Sequence, residues 1–221
     1  IEVCDWSSDV CSSDLMKQNR ENPFFETYRT PFGTPPFDQI ETEQYEPAFD
    51  EGIWQLDEEV RAIADNTELP TFENTIVALE RSGKLLDKVS SAFFNVLNAE
   101  ADDEMMDISQ RVSPKLSESS NNIYLNEQLF ARVKSVYDHK EELHLPTEDA
   151  RLLEKTFEAF CVRGAALGPE EKEKYRKLSS ELSLLSLTFD QNALKDKNRY
   201  ELLLTKEDEL EGLPESIREA A

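Results

Sequence analysis

Two histidines, His139 and His144, are the only imidazoles in the chain, and both lie in the stretch YDHKEELHLP, residues 137–146, with Glu141 and Glu142 between them. Histidines and carboxylates this close in sequence raise the chemistry of a zinc hydrolase. Such a site reads His-Glu-x-x-His: two imidazoles four positions apart share one helix face, and the glutamate after the first activates a metal-bound water. Here the spacing is five. At about 100° per residue the two rings fall roughly 140° apart around a helix, so both do not easily meet one ion. Lys140 stands where the base is required. The residues read as two solvated histidines at the end of a helix that Pro146 stops. No residue is assigned as catalytic, none as a metal ligand, and no substrate-binding position is identified.

The other reactive side chains add little. Cys4 and Cys11 could form a redox or metal pair, but they sit in the first fifteen residues, IEVCDWSSDVCSSDL, which hold four acids, no base and no apolar period. That prefix lacks the basic start and apolar run of a secretory signal. It resembles translated sequencing-adapter read-through, with Met16 as a plausible start, and is set aside from the fold. Cys161 is then the only thiol, which cannot form an internal disulfide and suits a reducing, cytoplasmic compartment. No serine or cysteine stands in a recognisable nucleophile setting.

Composition narrows the partners. Of 221 residues 38% are apolar, enough for a core in one large domain or two small ones. The formal charge of −23, from 47 acids and 24 bases, repels phosphate backbones and anionic bilayers, so neither nucleic acid nor membrane is expected as a partner. No apolar run reaches the ~18 residues of a membrane span.

Whatever the histidines do, helices must position them. After a proline-rich and aromatic leader, residues 16–41, which reads as extended chain pinned by Phe24, Phe25, Tyr28, Phe32 and Phe37, the helical period takes over. Tyr45, Phe49, Ile53, Leu56, Val60 and Ile63 form one stripe. Thr71 caps a second helix that carries Phe72, Ile76, Leu79, Leu86, Val89, Phe93 and Leu97 through Asn98, with Gly83 as its weak point. A third spans about Asp102 to Asn121, and Pro114 predicts a kink or break there unless packing compensates. Asn126 caps a fourth, with Leu129, Val133 and Val136 on its inner side. A fifth runs from Thr147 to about Leu167. The sixth carries Tyr175, Leu178, Leu182, Leu185 and Phe189 at steps of three and four, a stripe read as core that also leaves coiled-coil pairing open.

At Tyr200 the period changes: YELLLT reads as a short strand without a partner strand, and ESIREAA as the start of a helix. The fold class expected is therefore all-α: an elongated multi-helix bundle with an extended leader and a short C-terminal strand. The divisions are a prefix at 1–15, a leader at 16–41, a helical domain at 42–199 and the start of a truncated following segment at 200–221, which should be poorly held.

Five stretches carry a resemblance: PTFENTIVALERSGKLLDKVSSAFFNVLNAE, the leader's NPFF and TPFGTPPFDQI, YEPAFDEGI, SPKLSESSNNIYLNEQLFARVKSVYD and YRKLSSELSLLSLTFDQNALKD. In order and without large gaps, from Asn22 to Ala221, they resemble the amino-terminal part of bacterial peptidyl-dipeptidases, a branch of the thimet-oligopeptidase-like zinc metallopeptidases. One departure is visible: Gln44 precedes Tyr45 where histidine is often found, a position that is not a metal ligand in the family. The resemblance implies a helical protein whose two halves enclose a channel with one zinc at its floor, and which releases dipeptides from the carboxyl end of short unfolded peptides. The family's zinc helix and its further glutamate ligand fall downstream of this sequence, so no catalytic position is carried over and His139 and His144 match no ligand. Zinc is thus expected in the full-length parent and not in this stretch, which would be inactive and would lack its carboxy-terminal catalytic part. The competing expectation is a free-standing acidic helical module that binds another protein through an apolar groove.

Overall fold

The computed structural model describes residues 22–100, 102–203 and 210–220. The prefix and Met16 lie outside them. Two units result, divided between residues 185 and 186.

In the first unit the described part of the leader carries two short 3₁₀ turns, Pro23–Phe25 and Pro31–Gly33. Asn22 caps the first by accepting from the Phe24 amide at 3.0 Å, and its own amide reaches the Gln44 carbonyl at 2.8 Å. Phe24 is buried, and Phe25 and Tyr28 pack on the same cluster. Phe32 and Phe37 do not pin the leader as expected. Phe32 is fully exposed, at the centre of a tight Pro-Phe-Gly turn with a left-handed φ of 61°, and Phe37 is half exposed.

Helix α1, Tyr45–Ala64, follows the expected stripe. The next segment is broken where one helix was anticipated. Thr71 and Asn74 cap each other reciprocally, a wide π turn covers Phe72–Val77, and the single turn α2, Ala78–Glu80, ends before Gly83. Gly83 takes φ 73°, a left-handed conformation that costs glycine nothing, and its amide donates to the Glu59 carboxylate at 2.7 Å. Helix α3, Lys84–Glu100, starts there.

Helix α4, Asp103–Tyr124, is capped by Asp102 and runs through Pro114 without interruption. Met105, Ile108 and Val112 are all buried just before the proline, which is the compensating packing that sequence left open. Asn126 caps α5, Glu127–Asp138, and α6 spans Thr147–Val162. The fifth helix stops five residues short of expectation because Gly164, at φ 90°, lets the Ala165 amide turn back to the Phe160 carbonyl at 3.0 Å.

Two apolar clusters hold the unit together. Phe24, Tyr45, Phe49, Val89, Phe93 and Ile108 centre the first, with Phe49 and Phe93 edge to face at 5.3 Å. Ile63, Ile76, Leu129, Val133, Leu153 and Phe160 centre the second. Helix α1 feeds both, and Leu56 packs against each. Gly52 is the point of closest approach: a Cβ there would stand 3.0 Å from the Leu86 Cα.

Helix α7, Pro169–Arg199, begins with proline at its first position and crosses the unit boundary. Its stripe is not core. Leu178, Leu182, Leu185 and Phe189 are 55, 64, 60 and 72% exposed, and only Tyr175 is partly covered. The heptad spacing was sound as a sign of a helix, but a stripe becomes core only if another element lies over it. The described part of the second unit adds α8, Glu215–Ala220. There is no strand among the described residues: positions 200–203 of YELLLT have no regular structure, as befits a segment without a partner strand, and 204 and 205 lie outside the described residues.

Candidate functional site

The histidines occupy the end of α5. His139 is its C-cap, with the ring Nδ1 2.8 Å from the Ser135 carbonyl oxygen, and His144 closes the following turn at φ 48°. Both are exposed. Among the described residues no group of three or more histidines, cysteines or carboxylates could hold a metal ion. Cys161 is an exposed thiol on α6.

A hollow of about 790 Å³ lies among the described residues between the leader and helices α1 and α3, walled by Phe24, Phe25, Tyr28, Glu51, Gln55 and Lys88 among others. Lys88 organises it. Its ammonium donates to the carbonyls of Phe24 and Glu26, both at 2.7 Å, and stands 3.7 Å from the Tyr28 ring centroid. Burial pulls the Lys88 pKa down, against a smaller opposing pull from Glu26. The Tyr28 hydroxyl is buried without a protein partner among the described residues, and burial, with Tyr45 nearby, pushes its pKa up to about 12. Gln55 donates to Glu51 at 2.8 Å. Aromatic faces and a carboxylate give this hollow the means to hold a ligand. Lys88 is committed to backbone carbonyls and Tyr28 is hard to ionise, while Glu26, Glu51 and Lys84 also line the hollow.

A second polar group bridges α1 and α4. Arg111 pairs with Glu46 at 2.9 Å, and Lys115 reaches Asp50 at 2.6 Å and Glu46 at 3.6 Å. The hydrogen bond from Arg111 is the main reason the Glu46 carboxyl titrates below its usual range.

Arg132, 7% exposed, is the polar residue that sequence reading passed over. Its guanidinium donates to the carbonyls of Asn66 and Glu68 at 2.6 and 3.0 Å and to the Asn74 and Thr75 side chains at 3.1 and 3.3 Å. It thereby ties the α1–α2 loop to α5. The signal was present: Arg132 falls between Leu129 and Val133 on the inward stripe.

The function is read from similarity. No family model matches the chain. Dipeptidyl carboxypeptidase of Escherichia coli (strain K12) is 40% identical over 194 residues, 88% of this chain and 28% of that protein. The dipeptidyl carboxypeptidase of Salmonella typhimurium is 39% identical over 173 residues, 78% of this chain and 25% of that protein. Oligopeptidase A of E. coli is 26% identical over 192 residues, 87% of this chain and 28% of that protein. The chain thus spans about 28% of the length of the curated relatives it matches. No described helix is long and apolar enough to cross a membrane. In sequence, this chain is related to the bacterial dipeptidyl carboxypeptidases and, at greater distance, to the oligopeptidase A proteins.

Proposed function

We propose that the chain is the amino-terminal helical portion of a cytoplasmic zinc metallopeptidase that releases dipeptides from the carboxyl end of short unfolded peptides. The observation that carries this reading is the 40% identity to dipeptidyl carboxypeptidase over 88% of the chain, set against 28% of that protein's length. In this role the helices form one wall of a substrate channel. The wall acts sterically, admitting flexible peptides and excluding folded domains.

Zinc would supply an activated water in the full-length protein. The residues described here do not fit that ion: His139 is engaged at its helix end, and no three ligand groups converge. In this reading the chain's own residues take no step in hydrolysis, and the chain alone is inactive. Extending the source reading frame past Ala221 tests the proposal. An in-frame His-Glu-x-x-His is expected, while a stop followed by unrelated sequence would sink it. Peptidase turnover by the purified chain with added zinc, surviving repurification, would refute its inactivity.

The exposed leucines of α7 favour one other reading, a free-standing acidic helical module that binds a second protein. The same extension of the reading frame separates the two.

A further inference from the structure

The hollow between the leader, α1 and α3 carries two opposite charges that no described residue answers. Glu51, on α1, accepts from the Gln55 amide at 2.8 Å, and its carboxylate meets no cation among the described residues. Lys84 is the first residue of α3, is exposed, and forms no ion pair or hydrogen bond with any described residue. A cation there also faces the positive end of its own helix dipole, an unfavourable place for it. Both side chains line the hollow, yet they do not pair with each other.

Phe25, Tyr28 and Leu85 give the same hollow an apolar lining, and its volume of about 790 Å³ falls in the ~300–1,000 Å³ range of small-molecule sites. Its charged groups balance, Glu26 and Glu51 against Lys84 and Lys88. A ligand carrying only positive charge would be opposed by the two ammoniums, and one carrying only negative charge by the two carboxylates. A zwitterion with an apolar body complements both signs at once. The rim bears the strained residue of the leader: Phe32, at φ 61°, adjoins Gly33, which lines the hollow, and strain of this kind collects at ligand clamps.

We infer that this hollow binds a zwitterionic α-amino acid with an aromatic side chain, either free or carried in a dipeptide. Glu51 takes the ammonium, Lys84 takes the carboxylate, and Phe25 and Leu85 cover the side chain. The carboxylate also meets the positive end of the α3 dipole, which turns an unfavourable position for a lone lysine into a favourable one for the pair. The inference does not rest on the proposed function, because every group it uses belongs to the described chain.

Amide NMR of the isotope-labelled chain, titrated with L-phenylalanine, glycyl-phenylalanine, phenethylamine and 3-phenylpropionate, reads the site. Saturable shifts at Gly33, Glu51, Lys84 and Leu85, with a Kd of about 1 mM or tighter, are expected for at least one zwitterion. Phenethylamine, which lacks the carboxylate, and 3-phenylpropionate, which lacks the ammonium, should bind ~tenfold more weakly. Whichever zwitterion binds more tightly identifies the source, free amino acid or dipeptide, and either upholds the inference. No saturable shift at those amides up to ~10 mM, or equal affinity for all four compounds, overturns it. Lys84→Met should abolish the preference for the zwitterion over phenethylamine, and Glu51→Gln the preference over 3-phenylpropionate, each with a Tm within ~2 °C of the parent. Preferences that survive both substitutions overturn the assignment. Should either variant unfold, the four compounds on the parent chain decide alone.

Discussion

Lys88 lies over the face of Tyr28, its ammonium 3.7 Å from the ring centroid, while two of its protons go to the carbonyls of Phe24 and Glu26. One side chain of α3 thus gathers three residues of the leader. Phe24 adds the buried ring that packs at 5.2 Å on Tyr45.

Replacing that lysine should loosen the leader before it harms the helices. Lys88→Met removes a charged donor from two carbonyls and should cost about 2 kcal/mol. Limited proteolysis should then cut within residues 22–41 at least tenfold faster than in the parent, with the helical circular dichroism unchanged. Equal cleavage rates would show that the Asn22 hydrogen bond and the packing of Phe24, Phe25 and Tyr28 hold the segment without Lys88.

Arg132 should prove as costly. Arg132→Met removes a buried guanidinium and leaves the carbonyls of Asn66 and Glu68 without their donor, an expected loss of about 2 kcal/mol by denaturant unfolding. Arg132→Lys should restore little, because an ammonium lacks the planar fork that reaches four acceptors at once. Full rescue by lysine would show that charge, not geometry, is what the loop requires.

Gly52→Ala sets two effects against each other. Removing a glycine from α1 should stabilise it by about 0.5–1 kcal/mol. The new methyl would sit 3.0 Å from the Leu86 Cα and 3.1 Å from its amide nitrogen, backbone atoms that move only if the two helices part, at about 1–3 kcal/mol. The crowding wins, so Tm should fall, and an increase would mean that α1 and α3 separate easily.

The Glu46 cluster predicts an acid dependence. Its carboxyl titrates below the unfolded value, so its contribution is fully present above the unfolded pKa and is lost as pH falls through the lower folded one. Glu46→Gln should lower stability at pH 7 by no more than ~1 kcal/mol, since the group is partly solvated. The gap between parent and variant should narrow as pH falls below the unfolded carboxyl value and close once the folded carboxyl is protonated. A gap that persists in acid would assign the effect to packing instead.

The elements that could be read from sequence were those where short-range chemistry decides the outcome. Asn126 and Thr71 cap as their side chains dictate, and the stripe of α1 faces two apolar clusters. Reading failed where the answer depended on what stands opposite. The leucines of α7 have the same spacing as buried ones, and spacing carries no record of whether a neighbour exists. Phe32 shares its type with Phe24, yet the Pro-Phe-Gly turn turns its ring to solvent. For the candidate site, the spacing argument took both histidines to lie on one helix, whereas His139 is the C-cap of α5 and His144 closes the turn after it. Arg132 and Lys88 act on carbonyls distant in sequence, and no local pattern announces such partners.

Helix α1 is the common spine of both apolar clusters, Tyr45 and Phe49 at one end, Val60 and Ile63 at the other, with Leu56 touching each. Neither cluster can melt while the other keeps that rod intact, so heat should dissolve them in a single transition. Damage at the Phe93 end would then be felt as lost protection around Phe160, though no side chain need connect the two directly.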